Sequence, residues 1–265
     1  MRFSRFQLSC YGLSDIGTFR HNNEDACMIN QEQGLFILAD GMGGHNAGEV
    51  AAKETVHFVT KSFETFLAEN GEYEDIFSIG DFTKLTLENA NSWVHHLGQK
   101  KKEYAGMGTT ICTLLFFEKS IIYSHVGDSR IYRIRQGTIK QLTSDHSLKN
   151  HLVAGGSLKV AKNSLSKAYE PYKNILTKAI GTCSEIDIQV QVDPVMDNDI
   201  YLLCSDGLSD CLSPDEIMRV VYEHEHSKKS GVEKLIELAI QKGGKDNITA
   251  VLVQAKYHDP VDLFR

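Results

Sequence analysis

The chain has 265 residues, of which 42% are hydrophobic and 24% are charged, and its formal net charge is −7. These values are typical of a globular protein with a sizeable core, and the acidic balance argues against nucleic acid as a partner. The longest apolar stretch is too short to span a bilayer and the N-terminal segment is too polar for a signal peptide, so we expect a cytoplasmic protein with no membrane partner.

Apolar runs and their periodicities predict strands that surround two pairs of helices. The predicted strands are 6–14, 26–30, 34–39, 109–117, 120–127, 129–135, 138–142, 186–192, 199–205 and 248–254. The predicted helices are 47–67, 83–103, 213–226 and 230–242, with a loop at 69–80 and an irregular segment at 144–181. Because the strands are mostly sequential and the helices are grouped, we expect antiparallel pairing and the α+β class.

The domain organisation follows from composition. Only four prolines occur and no linker is evident, which predicts one domain over residues 1–256 and a short C-terminal tail at 257–265. The six cysteines form no CxxC pair, so free thiols are expected. We also expect a monomer, with the single Trp93 packed in the core.

Three of the apolar runs end on an aspartate. They are GLFILAD ending at Asp40, IIYSHVGD ending at Asp128 and IYLLCSD ending at Asp206. A carboxylate at the end of a buried strand loses hydration and needs a compensating charge. An isolated Asp-Gly pair is more often a hairpin turn, but three such ends together predict shared cations.

Further acidic residues flank other predicted strands, namely Glu24, Asp25 and Asp246. Carboxylate, carbonyl and water oxygens are the ligands that Mg²⁺ and Mn²⁺ prefer. The glycines after Asp40 and Asp206 would let a backbone carbonyl approach an ion closely. The sequence has no HExxH motif and no Cys/His cluster, so zinc is not expected.

Six short motifs carry a family resemblance when they are taken in order. They are RHNNED at 20–25, DGMGG at 40–44, GMGTT at 106–110, VGDSR at 126–130, SDGLSD at 205–210 and KDNIT at 245–249. In this order they resemble the metal-dependent protein phosphatases, the type 2C serine/threonine phosphatases, and in particular their compact bacterial branch. The resemblance implies a four-layer αββα sandwich, in which two central antiparallel β-sheets are flanked by helices.

The resemblance also implies a centre for two Mn²⁺ or Mg²⁺ ions at one end of the sandwich. Asp40 would bridge both ions and the carbonyl of Gly41 would bind one of them. Asp206 and Asp246 would complete the shell of the first ion.

The second ion and a weaker third ion have their own implied ligands. Asp25, together with Glu24, would hold the second ion partly through water. Asp128 with Asp206 would form the third site.

The implied activity is hydrolysis of phosphoserine and phosphothreonine in proteins by direct attack of a metal-bridging hydroxide. Asp40 and Asp206 would act through the ions, and Arg20 would hold two phosphoryl oxygens with its planar fork. A serine/threonine kinase would share the substrates. A non-catalytic binding module and an enzyme for one dedicated regulator are the alternatives, and the intact aspartates with Arg20 favour the general phosphatase.

One position departs from many eukaryotic members of that family. Met42 stands where they have a histidine proposed to protonate the leaving group. A metal-bound water is one candidate for this acid and His45 is another. A role for His45 in a loop or at a helix start is the alternative.

Two other segments flank the motifs. Residues of about 155–175 correspond to the family's flap, where Lys159, Lys162, Lys167 and Lys173 could position phosphorylated protein substrates, an ordinary solvated loop being the alternative. The Asp-His-Ser run at 145–147 could orient the metal ligands from outside, or it could cap a helix.

Overall fold

Two antiparallel β-sheets form the centre of the computed structural model, which describes residues 4–42, 47–70, 75–154, 172 and 174–257. The strands are β1 (Phe6–Asp15), β2 (Asp25–Asn30), β3 (Leu35–Met42), β4 (Gly108–Thr109), β5 (Ile111–Phe117), β6 (Ser120–Val126), β7 (Arg130–Arg135), β8 (Thr138–Gln141), β9 (Val190–Pro194), β10 (Asp199–Cys204) and β11 (Ile248–Tyr257). The first sheet has the order β1-β11-β10-β7-β8 and the second has the order β2-β3-β5-β6-β9, with β4 paired to β3. The named strand pairs are antiparallel, as the sequence predicts.

Helices cover the outer faces of both sheets. The described helices are α1 (Gly48–Asn70), α2 (Ile76–Lys100), α3 (Leu148–Ala154), α4 (Asp206–Ser209), α5 (Pro214–Glu223) and α6 (Lys228–Gln241). Phe63 of α1 and Leu87 of α2 share one buried cluster with Ile37 of the second sheet. Leu235 of α6 shares another with Leu202 of the first sheet. The predicted four-layer α+β sandwich is therefore confirmed.

A third apolar cluster fills the space between the two sheets. The ring of Phe116 lies 5.9 Å from that of Phe36 and 5.4 Å from that of Tyr201, with both pairs edge to face. Phe36 and Phe116 belong to the second sheet and Tyr201 belongs to the first. Such aromatic pairs add about 0.5–1.5 kcal/mol beyond the burial of their area, so these rings link the sheets firmly.

Several predicted boundaries are wrong. The predicted loop at 69–80 gives way to α2 at Ile76, because Asp75 caps that helix by accepting from the backbone N–H groups of Phe77 and Ser78, each at 2.8 Å. The strand predicted at 186–192 lies at Val190–Pro194, where it pairs with β6. None of the helices in the described ranges is long and apolar enough to cross a membrane.

Trp93 is not a core residue, contrary to the prediction. Its side chain is 40% exposed, and its indole N–H donates to the Glu54 carboxylate at 3.0 Å. Indole combines a large apolar surface with one polar N–H group, so a half-exposed position on a helix suits it.

Candidate metal centre

Asp40 on β3 lies directly opposite Asp25 on β2, near one edge of the second sheet. Residues paired in this way across antiparallel strands project their side chains from the same face. The backbone of Asp40 is fixed from the other side, since its N–H donates to Thr110 Oγ1 at 2.9 Å and its carbonyl accepts from the Thr110 N–H at 2.8 Å. The strand continues to Met42, so Asp40 lies inside it and does not end it as predicted.

The first sheet supplies two more aspartates at its own strand ends. Asp206 follows β10 and begins α4, and Asp246 lies just before β11. These strands are neighbours, and the Ser205 N–H donates to the carbonyl of Thr249 at 3.1 Å. Asp206 and Asp246 therefore reach the same end of the sandwich.

Both Asp-Gly pairs need their glycine for a close backbone contact. A Cβ on Gly41 would lie 2.2 Å from the carbonyl oxygen of Gly48, and a Cβ on Gly207 would lie 2.1 Å from that of Asn247. Since no side chain fits at such distances, β3 lies directly against the start of α1 at Gly41, and α4 lies directly against the loop before β11 at Gly207. The sequence predicted only that these glycines would leave room for an ion.

The electrostatics of the aspartates show that they form one group. Burial raises the pKa of Asp40 well above its usual range, and the charges of Asp25, Asp206, Asp128 and Asp246 raise it further. Burial, together with the charges of Asp128 and Asp246, raises the pKa of Asp206 to about 8. Burial also raises the pKa values of Asp25 and Asp128 to about 6. Such a concentration of negative charge favours binding of a cation.

The donor atoms fit a hard divalent ion. Asp25 is buried, and its Oδ1 has no hydrogen-bond partner in the described part of the protein. No compact group of three or more His, Cys, Asp or Glu side chains that could hold an ion occurs in the described ranges. An ion here would therefore complete its shell with carbonyl oxygens and water, as Mg²⁺ commonly does.

Glu24 is packed against the start of α1. Its Oε2 would lie 2.4 Å from a Cβ on Gly48. Burial raises the pKa of Glu24, and the nearby charge of Glu49 raises it further. Glu49 Oε2 is itself buried without a hydrogen-bond partner among the described residues. The two glutamates thus extend the negative potential to the helix side of the centre.

Asn247 fixes the loop that carries Glu24. Its Oδ1 accepts from the Glu24 N–H at 2.9 Å, and its Nδ2 donates to the carbonyls of Ile16 and Asn22 at 3.0 and 2.9 Å. The residue is only 4% exposed. Sequence reasoning missed this role, because Asp246-Asn247 alone is typical of a turn.

Asp128 shares a cavity of about 260 Å³ with Asp206 and Asp210. The nearby cation Arg130 forms its ion pair with Asp145, through Nε–Oδ1 at 3.0 Å and Nη2–Oδ2 at 2.7 Å, and offsets the charge of Asp128 only in part. Burial and the charge of Asp145 are the leading causes of the raised pKa of Asp128. Its position suits a cation held apart from Asp40.

The Asp-His-Ser run at 145–147 holds a neighbouring turn and caps a helix, and its role in orienting metal ligands stays a prediction. The His146 N–H donates to the Gly127 carbonyl at 2.9 Å, and the Gly127 N–H donates to His146 Nδ1 at 3.2 Å. These bonds hold the turn that carries Asp128. Ser147 Oγ accepts from the Asn150 N–H at 3.3 Å in the first turn of α3, as a helix cap does.

Arg20 lies at the rim of the centre. Its side chain is 51% exposed, and its Nη2 lies 2.8 Å from Asp246 Oδ2. Thr18 anchors this loop by donating from N–H to Gly244 O at 2.8 Å and from Oγ1 to Gly243 O at 2.7 Å. The hydrogen bond to Asp246 is the main cause of the raised pKa of Arg20, which stays charged.

The predicted site residues are brought to one end of the sandwich wherever the structure describes them. They are Arg20, Glu24, Asp25, Asp40, Gly41, Asp128, Asp206 and Asp246. His45 and the flap lysines, including Lys159 and Lys162, lie outside the described residues, so their predicted roles stay predictions.

Comparison with known proteins identifies the family. The family model for protein phosphatase 2C matches residues 20–239. The chain belongs to the protein phosphatase 2C family. It is 36% identical over 250 residues to protein phosphatase PhpP of Streptococcus pneumoniae, covering 93% of this chain and 97% of the relative.

Solved structures of protein phosphatase 2C relatives share the fold. Serine/threonine phosphatase Stp1 from Staphylococcus aureus matches with a TM-score of 0.84 and 35% identity over 98% of each chain. The catalytic domain of the phosphatase PstP, in complex with two manganese ions, matches with a TM-score of 0.78 and 31% identity over 95% of this chain and 99% of that one. The resemblance drawn from the six motifs is therefore confirmed, and metal-dependent hydrolysis is the general mechanism of this family.

Proposed function

We propose that this chain is a metal-dependent phosphatase that removes phosphate from phosphoserine and phosphothreonine in proteins. The observation that carries the proposal is the convergence of Asp25, Asp128, Asp206 and Asp246 on Asp40, whose pKa all four raise. These aspartates come from distant parts of the chain, which argues against a local turn motif. The names of the relatives support the same activity.

We assign the first ion, Mn²⁺ or Mg²⁺, to Asp40, Asp206 and Asp246, a second ion also to Asp40, and the Gly41 carbonyl to one of the two. Because no three such side chains in the described ranges already stand close enough together to hold an ion, the aspartates would draw together when the ion binds. When bound, divalent ions polarise the phosphoryl group and make water a stronger nucleophile near neutral pH. The donors are the carboxylate and carbonyl oxygens that such ions prefer. The two manganese ions of the PstP structure support the assignment of two ions.

The remaining acidic residues are assigned to the second ion and to a third one. Asp25 and Glu24 would serve the second ion, partly through water, and the unpartnered Oδ1 of Asp25 supports a ligand role. Asp128 would hold a weaker third ion with Asp206, in the cavity that they share.

Arg20 is the proposed phosphate-binding residue. The guanidinium Nη2 of Arg20 donates to Asp246, and its other nitrogens make no hydrogen bond within the described residues. Guanidinium donors in this planar arrangement match two phosphoryl oxygens and offset the charge that the transition state spreads over them.

Phosphate release from a phosphothreonine peptide and from p-nitrophenyl phosphate tests the proposal. We expect activity with Mn²⁺ and none with chelator. Replacing Asp206 by Asn should lower kcat by about 10²-fold or more, since it removes a stabiliser of transition-state charge. Asp187→Asn is the matched control, because the Asp187 side chain is 70% exposed and its one ion pair among the described residues is with Lys84, at 3.6 Å.

Two outcomes would reject the mechanism: hydrolysis that continues in chelator, or full-rate hydrolysis by Asp206→Asn. Absence of any phosphoester hydrolysis by the metal-loaded wild type would instead favour a binding module.

The proposed compartment and oligomeric state rest on the cysteines and on the source of the ligands. We place the enzyme in the cytoplasm as a monomer that opposes a serine/threonine kinase. All six cysteines are free, as expected in a reducing compartment. The ligand residues named above all come from one chain, so the centre needs no second copy. Light scattering of the purified protein tests the monomer.

A further inference from the structure

The two carboxylate oxygens of Asp25 have different surroundings. Oδ2 accepts from Ser205 Oγ at 2.9 Å and from Thr249 Oγ1 at 2.6 Å. Oδ1 is buried and has no hydrogen-bond partner among the described residues. Ser205 and Thr249 are both fully buried. One oxygen is therefore held by protein hydroxyls, and the other is left for a different ligand.

The hydroxyl of Ser205 is oriented by the backbone. Ser205 Oγ accepts from the Thr249 N–H at 2.9 Å and donates its single proton to Asp25 Oδ2 at 2.9 Å. Replacing the hydroxyl would also leave that buried N–H unpaired, which makes Ser205 part of the β10–β11 contact.

The hydroxyl of Thr249 lies between the side chains of Asp25 and Ser14. Thr249 Oγ1 lies 2.7 Å from Ser14 Oγ, which accepts from Asn23 Nδ2 at 2.8 Å. The oxygen and nitrogen of the Asn23 amide cannot be exchanged, because Oδ1 accepts from the Asp25 N–H at 3.1 Å. Thr249 Oγ1 has the geometry of a donor both to Ser14 Oγ and to Asp25 Oδ2 but carries only one proton, and the charged carboxylate is the stronger acceptor.

These donors reach Asp25 from the opposite sheet. Asp25 begins β2 in the second sheet, whereas Ser205 follows β10 and Thr249 lies on β11 of the first sheet. The hydrogen bonds to Oδ2 thus join the two sheets at the end where the aspartates converge. A carboxylate held at one oxygen loses the freedom to rotate away from the centre.

We infer that Thr249 and Ser205 are positioning residues, which hold Asp25 Oδ2 and thereby direct Oδ1 at the metal centre. The inference rests on the proposed function, since it concerns the ligand geometry of that site. It predicts that the affinity for the ion, more than the turnover of the loaded enzyme, depends on the Thr249 hydroxyl.

Thr249→Val and Thr249→Ser form the test pair, because valine keeps the shape and serine keeps the hydroxyl. Mn²⁺ binding is measured by calorimetry and by the loss of the free-ion electron paramagnetic resonance signal. We expect Thr249→Val to raise the Kd for Mn²⁺ about tenfold or more, as loss of a group that orients a ligand does. Thr249→Ser should restore most of the affinity, and kcat at saturating Mn²⁺ should change much less than Kd.

Thr113→Val is the matched control, since Thr113 is also a buried strand threonine but its Oγ1 has no hydrogen-bond partner in the described residues. It should leave the Kd for Mn²⁺ unchanged. If Thr249→Val fails to fold, Ser205→Ala removes the other hydroxyl that donates to Asp25 Oδ2 and should weaken Mn²⁺ binding in the same direction.

A folded Thr249→Val that binds Mn²⁺ like the wild type, or a Ser205→Ala that does so where Thr249→Val does not fold, would overturn the inference and leave the proposed function intact. A wild-type protein that neither binds Mn²⁺ nor hydrolyses the peptide would overturn the proposed function itself.

Discussion

Asp25 and Asp40 face each other across one antiparallel strand pair, so two carboxylates that repel each other share one face of the second sheet. Like charges in this arrangement are destabilising. The fold therefore keeps a locally unfavourable arrangement at the proposed metal centre, and its energetic consequences are measurable.

The stabilisation by Mg²⁺ should grow with pH. The pKa values of Asp206 (about 8) and Asp25 (about 6) in the folded chain lie above the ordinary value for an unfolded aspartate, which is about 3.9. The folded state then binds more protons than the unfolded state, so this contribution to stability is present at low pH and is lost as pH rises through the folded pKa values. Because the ion displaces these protons, the Tm gained by adding Mg²⁺ should be larger at pH 8 than at pH 5.5. A gain that is equal at both pH values would contradict this linkage.

Arg20→Lys should impair catalysis while keeping the charge. Lysine lacks the planar fork, so we expect kcat/KM for a phosphothreonine peptide to fall about tenfold or more, which is about 1.4 kcal/mol. Arg219→Lys on α5 is the control, because Arg219 is exposed on the helix surface. Steady-state kinetics of the two variants checks the prediction, and equal rates would remove Arg20 from the phosphate site.

Asp199→Asn should destabilise the fold at a distance from the centre. Asp199 is fully buried, and it binds Arg135 through Nε–Oδ1 at 2.7 Å and Nη2–Oδ2 at 2.6 Å. Removing one partner of a buried pair leaves the other charge uncompensated, so we expect a loss of about 3 kcal/mol in the free energy of unfolding. Urea titration measures this loss. Glu64→Gln breaks the exposed pair with Lys61 and should change the same quantity by less than about 1 kcal/mol.

His146 should remain neutral well below neutral pH. Burial and the ring of His125, stacked at 4.6 Å, lower the pKa of His146 to about 4. The folded pKa lies below the unfolded value of about 6.5, so this contribution to stability is present above pH 6.5 and is lost as pH falls toward 4. Long-range ¹H–¹⁵N spectra should show an unprotonated Nδ1, the atom that accepts from the Gly127 N–H. A His146 that titrates near pH 6.5 would refute the assignment.

The sequence predicted the aspartates of the centre but not the side chains that hold them. Asp40, Asp128 and Asp206 were found because a charge after an apolar run is conspicuous in any sequence. Ser205 and Thr249 were not, because a small hydroxyl in a strand carries no signal of its partner until the sheets are assembled.

The helix boundaries show a similar limit. The start of α2 was missed because Asp75 reads as one of several loop acids, and only the backbone geometry identifies it as a cap. The start of α5 was found because Ser213, Pro214 and Glu216 together form a local cap signature that the structure contains. Local signals predicted local structure, whereas contacts between the sheets could not be predicted from them.

The three edge-to-face rings between the sheets act as a spacer for the carboxylates. Asp25 and Asp40 belong to one sheet and Asp206 to the other, so the gap between the two groups follows the gap that Phe116 maintains between Phe36 and Tyr201. Packed aromatic rings resist compression, and a smaller side chain at 116 would let the sheets settle closer together. The spacing of the two groups of carboxylates therefore depends on packing in the core, at a residue that is not one of the proposed ligands.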